Sequence, residues 1–353
     1  MDLPVMPPVK PMLAKPVRDI PPGQLYEPKW DGFRSVIFRD GDMVEIGSRN
    51  EKPMTRYFPE IVEAVRTNFP ERAVIDGEII IIDPERHVLD FETLQLRLHP
   101  AASRVRRLAA ETPARFVAFD LLALGDQDLT GRPFSERRTL LEHALGDVAP
   151  PVHLTPITDD EALAATWFDE LEGAGLDGLI AKRADQSYQP DKRVMSKIKH
   201  VRTLDCVVAG YRLHSSAPDA IGSLMLGLYD DHGHLASVGV IGALPMSTRR
   251  TLLTGFAPLV TTFDDHPWAR ANHEREPGST AYGSRWNGGK SLAFTPVRPE
   301  RVVEVRYDYM EGARFRHTAQ FVRWRPDREP RSCTFEQVER PTTCDLSDVL
   351  GLR

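Results

Sequence analysis

The chain has 353 residues, 41% of them hydrophobic, and a formal net charge of −6, which is long enough for two domains with proper cores. No run of about 18 apolar residues occurs, so no membrane span is expected. Cys206, Cys333 and Cys344 stand far apart without a Cys-x-x-Cys pair, which argues against a zinc module or a disulfide-stapled secreted scaffold and fits a reducing, cytoplasmic setting.

In chain order, Met1-Asp2-Leu3-Pro4 is unlike a secretory signal, and the proline-rich residues 1–24 read as an extended arm. Strand-like Ser35–Phe38 and Met43–Ile46 flank Asp40-Gly41, a hairpin signal. Phe58, Ile61, Val62, Val65 and Phe69 fall at helical spacing. Val74–Ile82 reads as a buried strand interrupted by Asp76-Gly77-Glu78; polar groups inside such a run are costly without partners, which points to a ligand-facing role. Residues 90–98 and 134–145 read as helices around a strand at Phe116–Leu124. A further helix spans 159–173 and closes near Gly173 and Gly175. Leu179–Ala181 and Ser196–Ile198 are short strands. Strands mixed with helices without strict alternation suggest an α+β domain on antiparallel sheets.

After about residue 201 the pattern changes. Cys206–Tyr211, Leu224–Tyr229, Leu235–Val240, Val302–Tyr307 and Phe315–Trp324 are strand candidates, with a helix at Ser247–Phe256 between the third and fourth. That is the layout of an OB-fold β-barrel. The expected division is a first domain over 1–200, a hinge at 201–204 and the barrel domain over 205–353. Residues 262–291 read as a long loop, of the kind that is usually functional or disordered.

The densest chemistry lies at Glu27-Pro28-Lys29-Trp30-Asp31-Gly32-Phe33-Arg34. A lysine becomes a nucleophile once it loses its proton, and a nearby cation such as Arg34 together with partial burial favours that loss. Asp31 can hold a metal ion, and Gly32 lets backbone approach a phosphate. Positive charge also clusters. Between Lys182 and Arg202 seven Lys/Arg face two acids, and between Arg298 and Arg331 nine arginines face six acids. Arg97, Arg104, Arg106 and Arg107 form a third group. All three are candidates for a phosphate-tracking surface.

The Lys29 block resembles the first signature of the covalent nucleotidyltransferases, which comprise DNA ligases, RNA ligases and capping enzymes. Further blocks follow in that superfamily's order: Ser48-Arg49-Asn50, Asp76-Gly77-Glu78, Phe116–Leu122, Leu176–Lys182, Lys197-Ile198-Lys199 and Arg325-Pro326-Asp327-Arg328. Pro11-Met12-Leu13-Ala14 and Arg56-Tyr57-Phe58-Pro59-Glu60 narrow the resemblance to ATP-dependent DNA ligases, particularly the stand-alone C-type of actinobacteria and the ligase module of bacterial end-joining proteins. It implies an adenylation domain followed by the OB-fold domain. Lys29 would take AMP from ATP as a phosphoramidate and pass it to a 5′-phosphate at a nick in double-stranded DNA, which a 3′-hydroxyl then attacks, plausibly in repair.

The resemblance also implies roles. Glu27 touches the adenine amino group and Phe119 stacks on the base. Arg34 and Glu78 contact ribose or phosphate, and Arg49 holds a phosphate. Asp31 and Asp177 bind Mg²⁺ or Mn²⁺. Lys197 and Lys199 neutralise the α-phosphate. Arg325, Asp327 and Arg328 engage the β,γ-phosphates, while Asp76 and Asp120 act structurally. The chain departs from the pattern at Asp177, where glutamate is usual, at Ser196, where a large apolar residue is common, and at Arg328, where lysine is common. A soluble monomer is expected. An RNA ligase or capping-type enzyme, or a non-catalytic DNA-binding protein, are the other readings; the intact Lys29, Asp31, Glu78, Lys197 and Lys199 count against the last.

Overall fold

Alternating burial organises the computed structural model, which describes residues 1–146, 148–268, 294–338 and 344–350. Two units emerge: Met1–Lys199 with Pro341–Arg353, and His200–Arg340.

The first unit is built on ten strands: β1 (Leu13–Val17), β2 (Leu25–Pro28), β3 (Phe33–Asp40), β4 (Met43–Ser48), β5 (Arg72–Ile80), β6 (Arg115–Leu124), β7 (Gln127–Asp128), β8 (Val152–Leu154), β9 (Leu179–Lys182) and β10 (Arg193–Ile198). One sheet runs β1-β10-β9-β2, and the other runs β4-β3-β5-β6-β7 with β8 beside β6. Pairing is antiparallel except for β1/β10 and β6/β8. Both faces of the larger sheet are buried, and the period of two assigns its residues. Ile37, Ile75 and Leu121 join a core with Phe58, Ile61 and Val65 of helix α1 (Pro59–Asn68). Val36, Phe38, Val74 and Leu122 join a second core that contains Met12 and Met195 from the smaller sheet's side.

Four helices of the first unit follow sequence signals and one does not. Pro59 opens α1 at its first turn, where a missing N–H costs nothing. Helix α2 (Phe91–Leu96) is capped by Asp90. Helix α3 (Ala102–Glu111) has no counterpart in the sequence reading. Helix α4 (Phe134–Leu145) is as expected, and α5 (Glu161–Glu170) starts on the Asp160 cap, its following turn closing at Gly175 in the left-handed region.

The second unit is the five-stranded OB-type sheet, in the order β13-β12-β11-β14-β17: β11 (Arg202–His214), β12 (Ala217–Tyr229), β13 (Leu235–Ile241), β14 (Thr295–Tyr307) and β17 (Gln320–Trp324). Helix α6 (Met246–Phe256) lies between β13 and β14 in the chain and sends Leu252 and Phe256 into the barrel core.

Several expectations need correction. The N-terminal arm is not free: Leu3 and Met12 are buried between the sheets, and β1 pairs with β10. The expected hinge 201–204 is mostly strand, since Arg202 already pairs with Tyr307 and Leu204 with Val305; the division falls between Lys199 and His200. The barrel does not run to residue 353. Leu346 of α7 (Leu346–Val349) is buried with Trp30, Ile80 and Leu176 of the first unit, its amide donates to the His87 carbonyl at 3.0 Å, and His87 Nδ1 lies 3.1 Å from Asp345. The Phe315–Trp324 strand is split into β16 (Arg314–Phe315, paired with β15, Met310–Glu311) and β17. From residue 269 the expected 262–291 loop lies outside the described residues.

Candidate active site

The loop carrying Lys29 is fixed by close packing. Its amide donates to the Gly178 carbonyl at 2.9 Å, and its carbonyl accepts from Asp177 N at 3.1 Å. Gly178 sits at φ +113°, and a Cβ there would fall 2.0 Å from the Ile198 carbonyl. Gly32 is equally constrained, since a Cβ would lie 2.1 Å from the Ile79 carbonyl. Gly32 thus serves the approach of the loop to β5, a need the sequence reading had assigned to a phosphate.

These contacts bring Lys29 to a cleft lined by Glu27, Trp30, Arg34, Arg49, Glu78, Phe119, Lys182, Arg193, Met195 and Lys197, with Pro11–Ala14 on one wall. Lys29 Nζ lies 2.9 Å from Asp177 Oδ2, and Lys199 Nζ lies 2.5 Å from the same oxygen. Burial opposes the Asp177 charge, but Lys29 and Lys199 outweigh it and hold the carboxyl below its usual range. Lys197 is shifted down as well: burial and the cations Lys199 and Lys29 favour its neutral form.

Arg34 is committed elsewhere. Its Nε and Nη2 donate to Asp76 at 2.6 and 2.7 Å, Tyr188 donates to the same carboxylate at 2.7 Å, and the guanidinium lies 4.3 Å from the centre of the Phe119 ring. Phe119 is 6% exposed and has the Lys182 ammonium 4.9 Å from its ring centre. The expected base-stacking ring is therefore shared with two cations. Glu78 accepts from the Gly32 amide at 3.2 Å, and burial, only partly offset by Arg34 and Lys29, pushes its carboxyl up to about 7. Asp120 is chelated by Arg137 at 2.8 and 2.9 Å, entirely inside the protein.

Lys182 and Arg138 were not singled out from the sequence. Lys182 is buried, pairs with Glu27 Oε2 at 2.7 Å and donates to the Phe119 carbonyl at 3.3 Å. Strand parity offered a signal: Glu27 opposes Ile180 across β2/β9, so Lys182, two residues on, is its diagonal neighbour on the same face.

Not every expected residue lines this cleft. Asp31 is partly exposed beyond the end of β2 and is absent from the lining. Arg325 and Arg328 find their partners in the second unit. Arg325 pairs with Asp205 at 2.9 Å and Asp327 at 2.8 Å, and Arg328 reaches Asp205 at 3.7 Å. The basic clusters are also broken up. Lys182 and Arg202 are buried, Arg97 is buried against Glu60, and Arg183, Arg298 and Arg323 pair with Asp185, Glu300 and Glu304.

A divalent ion fits this donor set only in part. Among the described residues no group of three or more His, Cys, Asp or Glu converges. Asp177 nevertheless offers an anionic oxygen that already gathers two ammonium groups. Mg²⁺ commonly takes one or two carboxylates and completes its shell with phosphate oxygens and water, so the set suits an ion that arrives with a nucleotide.

Comparison with known proteins gives the family. The family model described as ATP dependent DNA ligase domain matches residues 11–199, and that of the ATP dependent DNA ligase C terminal region matches 217–328. The chain is similar to DNA ligase C of Mycobacterium tuberculosis, 67% identical over the full length of both. It is also similar to DNA ligase C2 of Mycolicibacterium smegmatis, 67% identical over 97% of each. A solved Lig E DNA ligase structure, 17% identical, covers 89% of this chain and 99% of its own with a TM-score of 0.53, and shows the fold alone. No helix among the described residues is long and apolar enough to cross a membrane.

Proposed function

The chain belongs to the ATP-dependent DNA ligases, and from that membership we propose that Lys29 is the residue that accepts AMP. The observation that carries this reading is the cleft-lining Lys29 amine, joined to Lys199 through one oxygen of Asp177. The amine gives up its proton and its contact with Asp177. Its nitrogen then forms a bond to the α-phosphorus of ATP as the bond to pyrophosphate breaks. Lys197 and Lys199 balance charge on the transferred phosphoryl group, the kind of electrostatic work that dominates such transfers. Arg49 holds a phosphate oxygen, while Arg34, fixed by Asp76 and set over Phe119, bounds the base and sugar. Glu27 accepts the adenine amino group.

Asp177 and Asp31 would hold Mg²⁺ or Mn²⁺, which would supply charge neutralisation at the phosphates. AMP then passes to the 5′-phosphate of nicked duplex DNA, and the 3′-hydroxyl displaces it. Arg325, Asp327 and Arg328 are proposed for the leaving pyrophosphate. Of their acidic partners, Asp327 is of the exposed kind that another anion can replace, whereas Asp205 is buried.

The test is a chase. Incubated with ATP labelled at the α-phosphate, the protein should acquire acid-labile label, lose it to nicked DNA and release AMP on sealing. Lys29→Ala should acquire none. Labelling that persists in Lys29→Ala moves the nucleophile elsewhere.

A further inference from the structure

Arg138 belongs to none of the signature blocks and does not line the cleft, yet its contacts converge behind the residues around Lys29. It is buried on α4. Its Nε donates to Glu142 at 2.7 Å, and its Nη2 donates to the Thr155 carbonyl at 2.8 Å. The Thr155 hydroxyl accepts from the Trp30 indole at 2.8 Å, and the Thr155 amide donates to the carbonyl of Ala118, next to Phe119, at 2.9 Å. Arg138 Nη1 has no hydrogen-bond partner. It lies 3.8 Å from Glu27 Oε1, which has none either. The other oxygen of Glu27 is taken by Lys182.

This geometry separates charge from hydrogen bonding. A carboxylate 2% exposed is costly to keep ionised without compensating cations. Lys182 supplies one and occupies Oε2. Arg138 supplies a second from beyond hydrogen-bond length, so Oε1 stays an open acceptor. An ionised carboxylate only accepts, whereas a neutral carboxyl group can also donate. A 6-amino purine presents a donor to Oε1; a 6-oxo purine presents an acceptor, which the ionised form repels and the neutral form welcomes.

We propose that Arg138 is a positioning residue for nucleobase selection: with Lys182 it keeps Glu27 an acceptor-only carboxylate that takes adenine and refuses 6-oxo purines. The proposal rests on the reading of Glu27 as the base contact. Burial raises the proton affinity of Glu27 and prevails, so its carboxyl stays above the usual range; Lys182 and then Arg138 hold that rise in check. The remaining neighbours are accounted for. Asp120 of β6 opposes the charge but is bound by Arg137, Glu142 of α4 is held by Arg138 itself, and Glu161 of α5 turns to the Gly23 amide. Without Arg138, Glu27 gains a proton at a higher pH and the discrimination becomes pH-dependent.

The experiment compares kcat/KM for self-adenylation by ATP and for the matching transfer from ITP, between about pH 6 and pH 8, in wild type, Glu27→Gln, Arg138→Gln and Arg138→Lys. Glu27→Gln should lower the ATP-to-ITP ratio at every pH. Arg138→Gln should lower it about tenfold near pH 6 and recover toward wild type near pH 8, where the carboxyl is ionised in both, because one unit of proton affinity is a tenfold change in the ratio of ionised to neutral carboxyl. Arg138→Lys, which keeps the cation and disturbs the fold least, should stay within about twofold of wild type. If Glu27→Gln lowers the ratio while Arg138→Gln leaves it untouched or lowers it equally at all pH values, the proposal is overturned. A loss in Arg138→Lys as large as that in Glu27→Gln overturns it too. An unchanged ratio in Glu27→Gln brings down the reading of Glu27 itself, and the proposal with it.

Discussion

The two units differ in how far their signature charges are withdrawn from water, although the second also buries Arg202, Asp205 and Arg249. The first takes ions inside: Glu27, Asp76, Arg97, Asp120, Arg137 and Lys182 are all buried, and each faces an opposite charge at hydrogen-bond distance. The second closes over an aliphatic and aromatic core, and its signature arginine Arg325 is half-buried, paired with the buried Asp205 and the exposed Asp327. Buried pairs are expensive to break, because the survivor is left as an uncompensated charge. Exposed pairs are cheap to exchange. The first unit is therefore preorganised before substrate arrives, whereas under the proposed function Arg325 would have to exchange at least its exposed partner Asp327 for a phosphate.

Four substitutions sharpen or break this contrast. Asp120→Asn, which strands Arg137, should cost about 3–5 kcal/mol of stability in denaturant unfolding; a near-silent change would mean the first unit does not depend on its buried ions. Asp177→Asn should slow sealing about a hundredfold, with Asp177→Glu retaining substantial activity. If Asn is harmless at limiting divalent ion, Asp177 is only a turn former. Arg325→Ala should lower the unfolding midpoint modestly, since Arg328 remains 3.7 Å from the buried Asp205, and reduce adenylation from ATP about tenfold, yet spare sealing of a nick already carrying 5′-AMP. Equal loss in both reactions would assign it to DNA binding or folding.

The smallest effect concerns pH. The Glu78 carboxyl is raised from 4.5 to about 7 in the folded chain, so the native state retains a proton that the unfolded chain has lost between these values. Its contribution is fully present below about pH 4.5 and fades as pH rises through 7, an effect of about 1–2 kcal/mol. Glu78→Gln should flatten that part of the stability profile. An identical profile would mean that Glu78 is ionised throughout.

Local chemistry was legible in the sequence; long-range pairing was not. The Asp40-Gly41 turn, the Phe58–Phe69 stripe and the Lys29 block each declare themselves within a dozen residues. Asp76 could be read as a polar group in need of a partner, but nothing local says that Arg34 and Tyr188 supply it. Helix α3 escaped because its apolar stripe is little more than Val105 and Leu108, with arginines between them. The basic clusters misled for the reverse reason: counting charges along the chain does not reveal that Arg97 meets Glu60 or Lys182 meets Glu27. Arg138 lies in an ordinary amphipathic helix, and only the fold sets it beside Glu27.

The return of the last residues to the first unit has a consequence for synthesis. Leu346 fills the apolar cluster around Trp30, the neighbour of Lys29, although more than 300 positions separate them. A ribosome therefore delivers this unit in two instalments, with the whole barrel sequence, His200–Arg340, made in between. Until Leu346 is made, Trp30, Ile80 and Leu176 lack part of their cover, and a nascent chain must carry that apolar surface while the whole barrel is translated. A chain cut just before Leu346 would keep every signature block and still leave the cluster beside the nucleophile's neighbour unfinished.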